Sequence, residues 1–185
     1  MDGSRTILGI DPGTNLLGFG IIRVDASRKA NFVDMGVLDL RRQADAYTKL
    51  GCIFDKVGAL CDLHHPDDLA VESPFMGKNA QVILKLGRAQ GAAMMAAVSR
   101  GIPVFEYAPR KAKMAICGNG SASKEQVALI VERTLGIEIA SKFLDATDAL
   151  AIAMCHYYQL TNPLVSTKAA TSWEKFVDSN PDRIK

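Results

Sequence analysis

Near the N-terminus the apolar positions fall in short runs rather than at helical spacing. Thr6 to Asp11 is an apolar run closed by an acid and by Pro12-Gly13, which predicts a short buried strand. Leu17 to Val24 alternates, and Gly18 and Gly20 leave one of its sides with little side-chain bulk. Asn31 to Leu40 predicts a third strand, so the chain opens as an antiparallel meander. The period then lengthens. Leu50, Ile53, Phe54, Val57, Leu60 and Cys61 predict a helix over Tyr47 to His65, ended by Pro66. Leu69 to Glu72 is again a short apolar strand, and again it ends in an acid. Ala80 to Arg100 predicts a long Ala/Gly-rich helix closed by Gly101-Ile102-Pro103, and Val104 to Tyr107 a fifth strand. After a flexible Gly118-Asn119-Gly120-Ser121 loop, helices follow over Lys124 to Leu135 and Asp145 to Tyr158. From Asn162 onward periodicity fades into a polar tail.

Three meandering strands followed by alternating helices and strands predict one α/β domain around a mixed five-stranded sheet flanked by helices. The expected division is a domain over residues 1–160 and a loose tail over 161–185, with no internal repeat. A length of 185 residues suits one core, and 48% hydrophobic with 23% charged residues argues against disorder. No apolar run reaches the ~18 residues of a membrane span, and the first residues lack the build of a secretory signal. A cytoplasmic protein with reduced thiols is therefore expected from Cys52, Cys61, Cys117 and Cys155, which contain no C-x-x-C. Cys61 with His64, or Cys155 with His156, offers half a zinc site, but neither has a second pair at matching spacing.

The net charge of +2 gives no hint of a partner, yet it hides a division. Nine basic residues between Met76 and Arg133 face three acidic ones, so that window carries +6 and the remainder −4. Four acids of the remainder stand at telling places. Asp11 and Glu72 end strands, and Asp145 and Asp148 share one face at the start of the last helix. Asp145 has a plain reading as a helix cap, Asp148 as a favourable charge at a helix start and Asp11 as a turn acid, whereas Glu72 follows Leu69-Ala70-Val71 with no basic partner nearby in sequence. Gathered in one pocket they would repel by roughly 4 kcal/mol per close pair at 4 Å with an effective dielectric of ~20. Such a cluster is stable only around bound cations, and oxygen-only ligands favour Mg²⁺ or Mn²⁺ over zinc or copper. Spacing alone does not bring the four together.

The segments ILGIDPGTNLLGFGII, AVESPFMGKNAQVILKLGRAQG, PVFEYAPRKAKMAICGNGSASKEQV and DATDALAIAMCH resemble, in order, the RuvC family of bacterial Holliday-junction resolvases. The likeness runs from about Thr6 to Tyr158. It implies an RNase H-like fold, a homodimer acting on four-way junction DNA, and partnership with the RuvA–RuvB branch-migration machine. It also implies an endonuclease using two Mg²⁺ ions per site, with Mn²⁺ as a substitute. Asp11, Glu72, Asp145 and Asp148 match the family's metal-binding catalytic acids one by one. The expected reaction is in-line attack of activated water on two strands of like polarity, leaving 5′-phosphate and 3′-hydroxyl ends.

Around these acids the resemblance marks DNA-binding residues. Phe75 matches the family's base-stacking aromatic, and an exposed Phe can wedge between bases. Lys113 and Lys124 match lysines facing the scissile phosphate and its neighbours, and Lys78 joins them on the DNA side. Arg110 and Lys111 extend the basic track. Gly87 and Gly91, amid alanines, permit close helix approach, either to a second subunit or to the chain's own sheet. His156 is expected as a favourable charge near a helix C-terminus. Two features depart from the family: a tail with four basic and three acidic residues, and D-P-G-T-N-L-L-G at the first acid. Two other classes compete. G-I-D-P-G-T resembles the phosphate loop of actin-like ATPases, which need two such domains, and a non-catalytic junction binder would keep the basic surface alone.

Overall fold

The structure is a computed structural model describing residues 4–74, 79–138 and 144–161. Strands β1 (Arg5–Asp11), β2 (Leu16–Val24) and β3 (Ala30–Asp39) form the meander. Helix α1 (Ala46–His64), β4 (Asp68–Glu72), α2 (Ala80–Val98) and β5 (Val104–Tyr107) follow, and α3 (Pro109–Cys117), α4 (Lys124–Leu135) and α5 (Leu144–Thr161) complete the order. The sheet runs β3-β2-β1-β4-β5, antiparallel through β1 and parallel from β1 to β5. The expected mixed five-stranded sheet is therefore present. The polar tail, Phe75 and Lys78 lie outside the described residues.

Strand parity sorts the core into two layers. Leu8, Ile10, Leu17, Phe19 and Ile21 meet Ile53, Val57, Ala89 and Ala93, so α1 and α2 cover one face. Ile7, Ile22 and Ala70 meet Ala112, Val131, Leu150 and Met154, so α3, α4 and α5 cover the other. On β1 the residues facing α5 are thus Arg5, Ile7, Gly9 and Asp11, at a spacing of two.

Glycines decide how closely α5 approaches. Gly9 lies opposite Gly20, and Asp11 opposite Gly18. A Cβ at Gly9 would sit 2.1 Å from the Ala149 carbonyl oxygen, and one at Gly18 2.1 Å from that of Asp145. The bare side predicted for β2 is the floor on which α5 lies, and no side chain but hydrogen fits there.

The elements end as their residues dictate. Asp45 accepts from the Tyr47 and Thr48 amides at the α1 N-terminus, a cap worth about 1 kcal/mol. His65 terminates that helix in the left-handed conformation, φ 45°, so it lies outside the helix rather than in it. The end expected for α2 at Arg100 falls instead at Val98. Sequence periodicity missed α3 altogether. It begins with Pro109 in its first turn and ends at Gly118, φ 66°. Only Ala112 and Ile116, one turn apart, are buried on this short basic helix, too few for a periodic signal.

Candidate metal centre and nucleic-acid interface

The parallel register Ile10↔Val71 ends β1 and β4 side by side, so Asp11 and Glu72 close neighbouring strands at one edge. The glycine floor brings the first turn of α5 down onto that edge. Carboxylate oxygens of Asp11, Asp145 and Asp148 then lie within 4.8 Å of one another. Glu72 stands beside this trio and feels the charges of Asp11 and Asp148. The structure thus brings together the four acids singled out by sequence, three of them in one tight group.

At 4.8 Å each pair of charged carboxylates would repel by about 3.5 kcal/mol at an effective dielectric of 20. The proton equilibria show that strain. Burial, then the Asp148 charge, pushes Asp11 from 3.8 up to about 7, with Lys124 opposing. Burial, then Asp11 and Asp148, pushes Glu72 from 4.5 up to about 8, with Lys124 and Lys113 opposing.

Lys124 is the cation that partly compensates. Its ammonium lies 2.5 Å from Asp148 and 3.2 Å from Asp145. A capping box fixes its place: Ser123 Oγ accepts from the Gln126 amide and the Gln126 side chain accepts from the Ser123 amide. Lys124 is then the first residue of α4. Burial pulls its pKa down, but the ion pairs with Asp148 and Asp145 and the field of Asp11 outweigh this and hold it above the ordinary lysine value. Lys113 on α3 donates to the Ala122 carbonyl at 2.7 Å and contributes positive charge at Glu72. Both expected lysines therefore stand at the acids.

The donor set tests the expected metal. Every ligand is a carboxylate oxygen, and a partly buried ammonium already sits among them as a counter-ion, so the group suits hard divalent cations. Among the described residues neither cysteine–histidine pair joins such a group.

A second feature adjoins this edge. A cavity of about 460 Å³ is lined by Thr14 and Asn15 of the loop after Asp11, by Lys49 of α1, and by Lys85 and Arg88 of α2. Lys49 donates to the Thr14 carbonyl at 3.1 Å and to Asn15 Oδ1 at 3.0 Å, which holds the loop. Thr14 and Asn15 belong to the D-P-G-T-N-L-L-G segment in which the first acid's loop departs from the family pattern. The lining acid, Asp45, is committed to capping α1.

The remaining expectations fare differently. Lys111 lies 5.2 Å from the Tyr107 ring centroid, on the basic face of α3. A Cβ added at Gly87 or Gly91 would meet nothing within 4 Å, whereas Ala89, Ala93, Ala96 and Ala97 pack on the sheet. Tight packing on its own sheet is thus the work of the alanines. His156 does not act as an end-of-helix charge: α5 continues to Thr161, and His156 is 1% exposed, with Nε2 3.1 Å from Asp68 Oδ2. Sequence reasoning also missed Asp68. Its one signal was an acid directly before the apolar run Leu69-Ala70-Val71.

A mixed sheet in this strand order, with carboxylates gathered where β1 and β4 end and a helix lowered onto them, defines an RNase H-like nuclease. The profile of the family described as "Crossover junction endodeoxyribonuclease RuvC" matches residues 7–156. Relatives bearing that description in Christiangramia forsetii and Bacteroides fragilis are 51% and 50% identical, each over 98% of this chain and over 93% and 96% of their own. The solved Thermus thermophilus RuvC in complex with Holliday junction substrate superposes with a TM-score of 0.75 at 33% identity, over 85% of this chain and 96% of that one. The chain belongs to this family of crossover junction endodeoxyribonucleases. No helix among the described residues is long and apolar enough to cross a membrane.

Proposed function

We propose that the chain resolves Holliday junctions in recombination and DNA repair by nicking two strands of like polarity symmetrically, leaving 5′-phosphate and 3′-hydroxyl ends. The observation that carries this reading is the group of Asp11, Asp145 and Asp148 within 4.8 Å, with Glu72 beside it, on this sheet. These four residues would hold two Mg²⁺ ions, or Mn²⁺ in their place. When bound, the ions supply charge neutralisation and an activated water for phosphodiester hydrolysis.

The chain's own groups do the rest. Lys124, paired with Asp145 and Asp148, would place its ammonium beside a scissile phosphate held at these acids. Lys113 offsets charge at Glu72 and on the adjoining backbone. Phe75 and Lys78 take the base and phosphate next to the cut, and Lys85 and Arg88 continue the basic track along the cavity. One domain over residues 1–160 carries this chemistry, and the tail over 161–185 is not needed for it. A two-fold junction calls for two sites, so the working form is a homodimer, for which the open side of α2 at Gly87 and Gly91 is suited. The enzyme works in the cytoplasm with RuvA–RuvB as its branch-migration partner.

The decisive experiment is cleavage of a mobile four-way junction in Mg²⁺, with Asp11→Asn as control. Paired, ligatable nicks from the native chain and none from the variant are expected, with junction binding retained. Binding without cutting across several core sequences overturns the proposal.

A further inference from the structure

We propose that His156, together with Asp68, Arg5 and Tyr107, is a positioning unit that sets the register of the ligand-bearing elements from the far end of the sheet. This rests on the reading of the four acids as cation ligands.

The unit joins the elements that carry those acids. Arg5 lies on β1 with Asp11, Asp68 on β4 with Glu72, and His156 on α5 with Asp145 and Asp148. Arg5 grips Asp68 with two nitrogens, Nη2 lying 2.7 Å from Oδ1. His156 Nε2 lies 3.1 Å from Asp68 Oδ2, and Tyr107 Oη lies 2.7 Å from His156 Nδ1. The Phe105 ring covers the imidazole at 4.4 Å. Tyr107 returns the connection to the active edge, since it pairs with Glu72 and its carbonyl accepts from the Ser73 amide at 2.9 Å.

The lever arms match. Asp148 to His156 is eight residues of helix, about 12 Å at 1.5 Å per residue. Asp68 to Glu72 is four residues of strand, about 13 Å, and the register Ile7↔Asp68 gives β1 the same length up to Asp11. The contact between them is close: α5 rests on Gly9 and Gly18 through its own backbone and the Ala153 methyl, and on Gly20 through the Leu150 amide and side chain. The floor sets how close α5 comes to the sheet, and an anchor at the far end adds a second fixed point that limits its rotation about that contact, and with it where Asp145 and Asp148 stand.

Proton accounting gives that anchor its direction. Which atom donates between Tyr107 Oη and His156 Nδ1 depends on the tautomer; with Tyr107 donating, Nε2–H faces the Asp68 carboxylate at 3.1 Å, an electrostatic contact out of line for a full hydrogen bond. The opposite tautomer would aim a lone pair at it. Asp68 and His156 are 0% and 1% exposed, and apolar residues of the same shape often replace both partners of a buried polar contact without loss of stability. Stability alone therefore does not account for a polar unit here, whereas defined geometry does.

The test titrates Mn²⁺ onto the DNA-free protein by electron paramagnetic resonance. Junction affinity without divalent ions and single-turnover cleavage are measured alongside. His156→Leu should weaken Mn²⁺ at least tenfold and slow cleavage by about 10²-fold, with junction affinity within about twofold of native. His156→Gln, whose amide can still donate to Asp68, should recover most of both losses. Arg5 is partly exposed, so Arg5→Met leaves the core filled; it should shift Mn²⁺ affinity in the same direction and decides the matter if His156→Leu does not fold. Native Mn²⁺ affinity in a folded His156→Leu or Arg5→Met chain overturns the proposal, as does a His156→Gln chain no better than the leucine variant. A native protein that binds no Mn²⁺ would instead sink the underlying metal reading.

Discussion

Replacing Gly18 by alanine asks whether the glycine floor sets the metal centre. The new Cβ would lie 2.1 Å from the Asp145 carbonyl oxygen and 2.6 Å from its carbon, both backbone atoms that no rotamer can move aside. Ordinary contact begins near 3.4 Å, so the first turn of α5 must retreat by about 1.3 Å or β2 must bend away. Overpacking of this kind costs about 1–3 kcal/mol, which in a domain of this size lowers Tm by roughly 2–12 °C. The functional cost is larger than the stability cost. Asp145 belongs to a group whose oxygens lie within 4.8 Å, and a displacement of ~1 Å at reacting groups can cost about 10²-fold in rate. Single-turnover cleavage at saturating junction and Mg²⁺, below the variant's Tm, should fall by that order while junction affinity holds. Gly51→Ala is the control: its Cβ would meet nothing within 4 Å, and it should gain up to about 1 kcal/mol with unchanged cutting. A folded Gly18→Ala protein that cuts at the native rate would refute the link between the floor and the site.

Three further outcomes are expected. Asp11 and Glu72 bind their protons more tightly folded than unfolded, so in chelator Tm should fall as pH rises from about 5 through 7 and 8. Saturating Mg²⁺ or Asp11→Asn should flatten that decline, as differential scanning fluorimetry across pH would record. Lys124→Met removes the ammonium that pairs with Asp145 and Asp148 and should slow single-turnover cleavage by about 10²- to 10³-fold, also lowering metal-free Tm. Lys85→Gln with Arg88→Gln should reduce the slope of log binding constant against log salt by about 0.9 per lost phosphate contact. Filter binding at several salt concentrations measures that slope, and cleavage at saturating protein should stay native.

Much was legible in the residues alone, because strands and caps are local. Alternation and turn residues located all five strands, and the spacing of Gly18 and Gly20 announced a side without bulk. Chemistry followed the same logic, since acids at strand ends and an i, i+3 pair at a helix start are visible as a pattern. Helix α3 was not, because two buried residues on a nine-residue basic helix leave no period to detect.

The sequence by itself therefore determined the order of elements, the candidate acids and, through motif resemblance, the class of chemistry. Tertiary structure decided what distance controls. It placed α5 on bare glycine backbone, which draws Asp145 and Asp148 to Asp11, and it set Lys124 as their counter-ion across 21 and 24 residues of chain. It also turned His156 from an expected helix-end charge into a buried anchor on Asp68, 88 residues away. Propensity acts between neighbours in sequence, whereas charge pairing and steric approach act between neighbours in space, and only the packed sheet makes these residues neighbours.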